Sequence, residues 1–221
     1  MPLSAAAVGK PHRRADAARN HQRLIDAAAE VFAARGLNAT LDDIARHAGV
    51  NVATAYRHFA NKHELAREFL LQCVEQALAI AERAAAEADP WRGLTLFMEQ
   101  SLELMSSNRA LVDVLTRAYG AEHHAEFFQR ISAPLEALLG RGQAAGLIRT
   151  DVGATDLAPI MEMLNAVASL GLPGLRDRYV ALILAGLRPS PDPLPGQPPT
   201  EELVRQVTLA PKPHPCGPGP T

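Results

Sequence analysis

One short stretch of the chain combines small, hydroxyl-bearing and basic side chains within two helical turns. The methyl groups of Val52 and Ala53 permit close approach and can touch a thymine methyl, and Thr54 can bond a base edge or a phosphate. Arg57 can donate to guanine or to phosphate, and the Tyr56 hydroxyl suits a phosphate. This pattern favours a surface that reads DNA in the major groove, although Tyr56 also fits the role of a core aromatic.

The charge of the chain is unevenly distributed. Residues 1–65 contain nine Lys and Arg against six Asp and Glu, whereas the remainder contains thirteen against eighteen, and the net charge is −2. Lys62 falls at the start of a predicted helix, where free N–H groups and the helix dipole favour a phosphate. The alternative is a solvated surface lysine. We therefore expect any nucleic-acid surface to lie in the first third of the chain.

Catalytic or metal-binding residues do not recur at a useful spacing. The nearest set is His123 and His124 with Glu126, but adjacent histidines on a helix point in different directions. Cys73 and Cys216 lack the short spacing of a metal site or a disulfide framework. The sequence therefore predicts no enzyme, no catalytic residue, no metal site and no cofactor.

The composition predicts a soluble, all-helical protein. The chain has 221 residues, of which 48% are hydrophobic and 5% aromatic, and alanine, the best helix former, is abundant. The apolar run Ala5 to Val8 is too short for a signal peptide, and the uncharged stretch from Met163 to Leu175 contains a proline. We expect a cytoplasmic protein without a membrane segment.

Capping residues divide the front of the chain into four helices. The predicted boundaries are Gly36 at the end of helix one, Thr40 with Asp43 at the start of helix two, Asn51 at the start of helix three, and Asn61 with Glu64 at the start of helix four. Two short helices around a turn at residues 47–50 have the dimensions of a helix-turn-helix. The same spacing also fits a corner of an ordinary three-helix bundle.

Apolar periodicity continues behind these helices. Helix four is expected to run from Lys62 to Ala88, and Asp89-Pro90 restarts the chain. Further helices are predicted at 90–106, 108–118, 121–146, 155–171 and 174–187, with Pro134 kinking or dividing the third of them. From Pro189 onward there are eleven prolines, with a short periodic patch around Leu203 and Val207 that predicts at most a marginal helix.

The segment TLDDIARHAGVNVATAYRHFANKHEL, from Thr40 to Leu65, resembles the helix-turn-helix of TetR-type transcriptional regulators. The resemblance covers about residues 19–70. It implies that Tyr56, His58 and Lys62 hold the DNA backbone while Thr54 and its neighbours read bases. The full candidate DNA-binding set is Thr40, Asn51, Val52, Ala53, Thr54, Tyr56, Arg57, His58 and Lys62.

Two positions depart from this family pattern. A basic or polar side chain is common where Val52 stands, and a larger apolar one where Ala55 stands, so base preference and local packing are expected to differ. In the rear half the resemblance depends on the order of the helices and on GQAAGLIRTDV, residues 142–152. It implies that this half binds an effector and forms a dimer through its last two helices.

The expected architecture is all-α, with an N-terminal three-helix helix-turn-helix domain and a C-terminal helical domain for ligand binding and dimerisation. The predicted divisions are a flexible basic arm at 1–17, the DNA-binding domain at 18–65, the effector and dimerisation domain at 66–188, and a proline-rich disordered tail at 189–221. The expected partners are a palindromic double-stranded DNA operator, a small-molecule effector and a second copy of the chain.

Methionine, aromatic and polar residues of the rear domain are candidates for an effector pocket, because such side chains adapt to apolar ligands. They are Trp91, Phe97, Gln100, Met105, His124, Phe127, Phe128, Met161 and Asn165. For each apolar member, ordinary core packing is the more frequent role.

Two apolar stripes near the end of the rear domain are candidates for the dimer interface. The residues assigned to it are Leu157, Met161, Leu164, Ala168, Val180, Leu184 and Leu187. Core packing explains either stripe taken alone. A dimer is nevertheless expected, because two recognition helices must lie about 34–36 Å apart to read a palindromic site.

These features predict a sequence-specific transcriptional regulator, a repressor that a small apolar ligand releases from DNA. A DNA-binding protein of the same fold without an effector, constitutive or architectural, is the alternative. Ligand-dependent loss of operator binding discriminates between the two.

Overall fold

A computed structural model describes the backbone of residues 9–209, and the side chains of residues 15–106 and 129–206 except at positions 33, 37 and 205. Every regular element in this range is helical, which confirms the predicted all-α class. The α-helices are α1 (Gly9–Arg35), α2 (Leu41–His47), α3 (Val52–His58), α4 (Lys62–Ala86), α5 (Pro90–Ala144), α6 (Ala154–Ala168), α7 (Leu175–Gly186) and α8 (Glu201–Leu209).

The chain forms two compact units. Of the described residues, the first unit comprises those up to Cys73 together with Asn108–Leu115, and the second comprises Val74–Ser107 and those from Thr116 onward. Helix α4 contributes residues to both units.

The first unit contains α1, α2, α3 and the front of α4, packed around one apolar core. The core side chains, all buried, include Leu24, Ile25, Ala28, Phe32, Ile44, Ala45, Val50, Ala55, Phe59, Leu65, Ala66 and Phe69. A short 3-10 turn, Gly36–Asn38, separates α1 from α2. Gly36 adopts a φ of 59°, a conformation that only glycine enters freely, so α1 ends where the sequence predicts.

Side-chain caps begin the next three helices, as the sequence predicts. Thr40 Oγ1 accepts from Asp43 N at 3.1 Å, while Thr40 N donates to Asp43 Oδ2 at 3.1 Å, which forms a capping box. Asn51 Oδ1 accepts from Ala53 N at 2.9 Å. Asn61 Oδ1 accepts from the backbone of His63 and Glu64 at 2.9 and 3.1 Å. Local hydrogen bonds therefore fix the starts of α2, α3 and α4.

The predicted flexible arm at residues 1–17 is helical from Gly9 onward, because α1 extends far ahead of its apolar stripe. Pro11 falls in the first turn, where a helix needs no N–H donor. The next residues are mostly Ala and Arg, which favour helix, and Asp16 pairs with Arg19 one turn later. The prediction was wrong for residues 9–17, and residues 1–8 lie outside the described range.

The second unit has its own apolar core, to which every helix from α4 to α7 contributes. The buried cluster contains Ile80, Ala81, Ala84, Leu94, Phe97, Met98, Leu102, Leu135, Leu138, Leu139, Ile148, Val152, Leu157, Met161, Leu164, Val180 and Leu187. Gly93 permits a close contact, since a Cβ there would lie 2.4 Å from the carbonyl oxygen of Ala84. Arg141 donates to the carbonyls of Ala85 and Glu87 and so holds the end of α4.

Helix α5 differs from the sequence prediction in its length. It begins as expected, with Asp89 accepting from Trp91 N at 2.9 Å and Pro90 in the first turn. It then continues to Ala144, where three helices were predicted. No proline occurs between Pro90 and Pro134, and Pro134 is accommodated inside the helix. Predicting boundaries from weak breaks in apolar periodicity was therefore wrong for this segment.

The predicted disordered tail at 189–221 is ordered through residue 209. Arg149, 9% exposed, forms a two-pronged ion pair with Asp151 and also donates to the carbonyl of Asp192 at 2.9 Å. Leu194 N in turn donates to Asp151 Oδ2 at 2.7 Å. Helix α8 packs against α6 and buries Val204, which is 1% exposed. The prediction was wrong here because these anchors lie some forty residues earlier in the chain. Residues 210–221 lie outside the described range.

Candidate nucleic-acid interface

The turn between α2 and α3 is held by backbone hydrogen bonds. Ala48 N donates to Ile44 O at 2.8 Å, Gly49 N to Arg46 O at 3.2 Å and Val50 N to Ala45 O at 2.9 Å. Gly49 has a φ of 62°, which allows the chain to reverse tightly. With Val50 and Ala55 buried, α3 is fixed against α2 in a helix-turn-helix arrangement.

Helix α3 presents most of the predicted DNA-contact residues on its outer surface. Tyr56 is 51% exposed, and Ala53 and Arg57 are exposed as well. Val52, Thr54 and His58 are half-buried. Ala55 faces inward and is fully buried, so its small side chain lets α3 pack closely on the core of the first unit. The outer face is therefore available to a groove or a phosphate chain.

Arg57 and Thr54 form one hydrogen-bonded pair. Arg57 Nη2 donates to Thr54 Oγ1 at 2.7 Å. The bond holds the guanidinium along the exposed face of α3, and the Thr54 hydroxyl proton remains available to an acceptor. The two candidate base-reading side chains thus form a single polar group.

Tyr56 lies beside an acidic residue that the sequence analysis did not consider. A hydrogen bond to the Asp42 carboxylate, and then its negative charge, raise the pKa of Tyr56. The phenol therefore stays protonated near neutral pH. No local sequence signal pointed to Asp42, because it belongs to α2 and approaches Tyr56 only through the turn.

His58 belongs to an aromatic cluster that joins three helices. The His21 ring of α1 stacks on Phe59 with centroids 4.7 Å apart and meets His58 edge-on at 5.5 Å. His21 Nε2 also lies 2.6 Å from Glu68 Oε1 on α4. Burial, followed by the nearby His21 and Arg57, lowers the pKa of His58, so its imidazole is neutral near pH 7. His21 and Glu68 were missed because their contacts are long-range.

Lys62, Thr40 and Asn51 complete the predicted set. Lys62 is the first residue of α4 and is half-buried. Thr40 and Asn51 are exposed, and their side chains cap α2 and α3. Their contribution to DNA contact stays a prediction.

The Asp43 carboxylate forms ion pairs with two arginines of the first unit. Its hydrogen bonds to the side chain and then the backbone of Thr40 lower the pKa of Asp43, and Arg35 and Arg46 act in the same direction. Arg35 and Arg46 each lie 3.3 Å from its carboxylate. The carboxylate is therefore ionised, which keeps the capping box intact.

Five of the predicted effector-pocket residues belong to the core of the second unit, in two groups that differ in burial. Phe97, Met161 and Asn165 are buried, whereas Trp91 and Met105 are half-buried against the same core cluster. The Arg188 guanidinium lies 3.4 Å from the centre of the Trp91 ring.

Gln100 does not belong with the other pocket residues. It is exposed, and its Oε1 accepts from Arg83 at 2.7 Å. Assigning it to an apolar pocket was therefore wrong, because it lies on the solvent face of α5. The side chains of His124, Phe127 and Phe128 lie outside the described residues.

The residues assigned to the dimer interface are core residues of the chain itself. Leu157, Met161, Leu164, Val180 and Leu187 are between 1% and 7% exposed, and Ala168 and Leu184 pack partly against the same cluster. Burial within one chain leaves little of the first five side chains for a second copy to cover, and the assignment of the full set to an interface stays a prediction. The large hydrophobic side chains exposed on or beside α6 and α7 are Met163, Leu170, Leu172, Tyr179 and Leu182, which are 40–63% exposed.

None of the helices in the part of the chain that the structure describes is both long and apolar enough to cross a membrane. Among the same residues, no three His, Cys, Asp or Glu side chains are grouped so that they could hold a metal ion.

Two family profiles match separate parts of the chain. Residues 24–69 match the N-terminal domain of bacterial regulatory proteins of the tetR family. Residues 89–189 match the C-terminal domain of SbtR-like transcriptional regulators.

Curated relatives match a quarter of the chain. The uncharacterized HTH-type transcriptional regulator TtgW of Pseudomonas putida is 51% identical over 57 residues, which is 25% of this chain and 42% of that protein. HTH-type transcriptional regulator SrpR of Pseudomonas putida is also 51% identical over 57 residues, 25% of this chain and 27% of that protein. The match thus spans less than half the length of either relative.

Solved structures resemble a larger part of the chain. A TetR transcription regulatory protein from Mycobacterium vanbaalenii is 32% identical with a TM-score of 0.60, covering 79% of this chain and 98% of its own. The TetR transcriptional regulator SCO0520 from Streptomyces coelicolor is 28% identical with a TM-score of 0.60, covering 77% of this chain and 99% of its own.

Proposed function

Because the chain belongs to the TetR family of bacterial regulatory proteins, we propose that it is a sequence-specific DNA-binding repressor, released from its operator by a small apolar ligand. The observation that carries the proposal is the outer face of α3, where Ala53, Tyr56 and Arg57 are exposed around the buried anchor Ala55. A short helix that exposes small and basic side chains at this point of a helix-turn-helix fits the major groove.

The side chains of the interface have different roles in this proposal. Thr54 and Arg57 read base edges as a hydrogen-bonded pair, and the methyl groups of Val52 and Ala53 touch thymine methyls. Tyr56 and Lys62 bind phosphates, the first as a neutral donor whose proton turns from Asp42 to the phosphate and the second as a charge at the start of α4. His58 holds the neighbouring backbone as a neutral imidazole.

The rear helices supply the second half of the proposal, a homodimer. The exposed side chains of Met163 on α6 and of Tyr179 and Leu182 on α7 are apolar groups that a second copy would cover. A symmetric dimer places two copies of α3 on the two halves of a palindromic operator.

Release by a ligand would act through α4. This helix begins at Lys62 and contributes Ile80, Ala81 and Ala84 to the core of the second unit. A ligand that enters this core and favours one arrangement of the helix changes operator affinity by its differential binding free energy, typically about 1–3 kcal/mol. If no ligand changes operator affinity, the constitutive DNA-binding alternative holds.

The test is selection of an operator from a random duplex library, followed by binding measurements on three variants. Arg57→Ala is expected to lose about 1–3 kcal/mol on the selected operator and much less on random DNA, since it reads bases. Lys62→Ala is expected to weaken both alike and to lower the salt slope by about one unit. Arg83→Ala removes an exposed arginine from the second unit and is expected to change neither.

Failure of the library to yield a preferred sequence would contradict the proposal. Equal losses for Arg57→Ala on operator and random DNA would reassign Arg57 to the phosphate backbone.

A further inference from the structure

Asn165 is a polar side chain in an apolar environment. It lies on α6, one turn after Met161 and next to Leu164, and is 4% exposed. Met161 and Leu164 both belong to the buried cluster of the second unit. Its Oδ1 is buried without a hydrogen-bond partner. Within the described side chains the same is true of one other atom, Oδ1 of the half-buried Asp42 in the first unit.

A buried acceptor without a donor lowers the stability of the folded chain, because the atom gives up its water and gains nothing in return. Leucine has nearly the same size as asparagine and would not have this cost. Buried polar atoms in native proteins are normally paired, so this oxygen requires a partner from outside the chain, either a water molecule or a ligand. The partner must provide a hydrogen-bond donor, since the orphaned atom is a carbonyl oxygen.

We propose that Asn165 Oδ1 accepts a hydrogen bond from the effector, and that the effector is a largely apolar molecule with one uncharged hydroxyl group. This inference rests on the proposed function, because it assigns the ligand of the second unit. The surroundings select against an acid: an ionised carboxylate has no proton to donate to Oδ1 and would bring a charge among Met161, Leu164 and their neighbours.

The position of Asn165 also connects the ligand to dimerisation. Asn165 lies on the inner face of α6, whereas Met163, two residues earlier, is 56% exposed on the outer face. A ligand bonded to Asn165 therefore acts on the same helix that a second copy would contact.

The first measurement needs no ligand. Asn165→Leu is expected to raise the melting temperature of the full chain, because it removes the unpaired oxygen and keeps the volume. Gln100→Leu on α5 is the matched control, since the Gln100 amide is exposed and bonded to Arg83, and it is expected to give no increase. An unchanged or lower melting temperature for Asn165→Leu overturns the inference, because Oδ1 then has a stabilising partner.

The second measurement uses three defined probes: decan-1-ol, its methyl ether 1-methoxydecane, and decanoate. Calorimetric titration of the wild-type chain is expected to show binding of the alcohol about tenfold tighter than the ether or the carboxylate, the effect of one buried hydrogen bond. Asn165→Leu is expected to abolish this preference, and Gln100→Leu to retain it. Equal affinities for alcohol and ether, or no binding of the alcohol, would overturn the inference. Operator selection by the same preparations reports on the proposed function separately.

Discussion

A hydrogen bond between two side chains restricts the conformations of the α3 surface before DNA binds. Arg57 donates to the Thr54 hydroxyl, and this bond orders the two side chains. Side chains already ordered in this way lose less conformational freedom on binding than free ones. The candidate interface is therefore partly preorganised.

The histidine on this surface predicts a pH dependence of stability. Burial and the nearby His21 and Arg57 lower the pKa of His58 below its ordinary value of 6.5, so the folded chain binds fewer protons than the unfolded chain. The stability from neutral His58 is thus present above about pH 6.5 and is lost as the pH falls below it. We expect the free energy of unfolding of the wild-type chain to decrease between pH 7.5 and 5.5, and His58→Gln to reduce that decrease. Urea unfolding across this range measures it, and an unaltered pH slope in the variant would refute the assignment.

Hydrogen bonds within a short stretch of sequence were predictable, whereas contacts between distant elements were not. The caps Thr40, Asn51 and Asp89 were predictable because each bonds to backbone within a few residues. The outer face of α3 was predictable for the same local reason. By contrast, the long-range pairs of Arg149 with Asp192 and of His21 with Glu68 leave no local sequence signal.

The two apolar faces of α6 and α7 lead to a prediction about assembly. Leu182 is 63% exposed on α7, whereas Leu184 on the same helix packs partly against the core. We expect Leu182→Glu to give a folded monomer, since a charge in an apolar interface is costly. Leu203→Glu on α8, at a position 49% exposed, is the matched control and should remain dimeric. Sedimentation velocity distinguishes the two, and a dimeric Leu182→Glu chain would place the interface elsewhere.

The segment after α7 leads to a prediction about stability. Asp192 and Leu194 are bonded to the buried Arg149–Asp151 pair, and Val204 of α8 is buried against the second unit. Deletion of residues 189–221 is therefore expected to lower the melting temperature by several degrees, because the deletion removes Val204 from the core and leaves Arg149 with fewer acceptors. Deletion of residues 210–221 alone is the control. Calorimetry that finds equal melting temperatures for the 189–221 deletion and the wild-type chain would contradict the docking of this segment.

The whole molecule contains two units with different cores and different candidate ligands. The first is a small helical domain that exposes its candidate DNA-contact residues on α3. The second is a larger helical domain with an apolar core, in which Oδ1 of Asn165 has no hydrogen-bond partner. Helix α4 contributes to both. Under the proposed function, each unit has its own ligand, DNA for the first and a neutral apolar molecule for the second.

The central claim, that a dimer reads two half-sites with two copies of α3, is tested most directly by changing their spacing. The affinity of the wild-type chain is measured for the selected operator and for a copy with about 5 base pairs inserted between its half-sites. The insertion rotates one half-site by half a helical turn relative to the other. The account predicts that the inserted duplex binds no more tightly than random DNA. Equal affinity for both duplexes would contradict it.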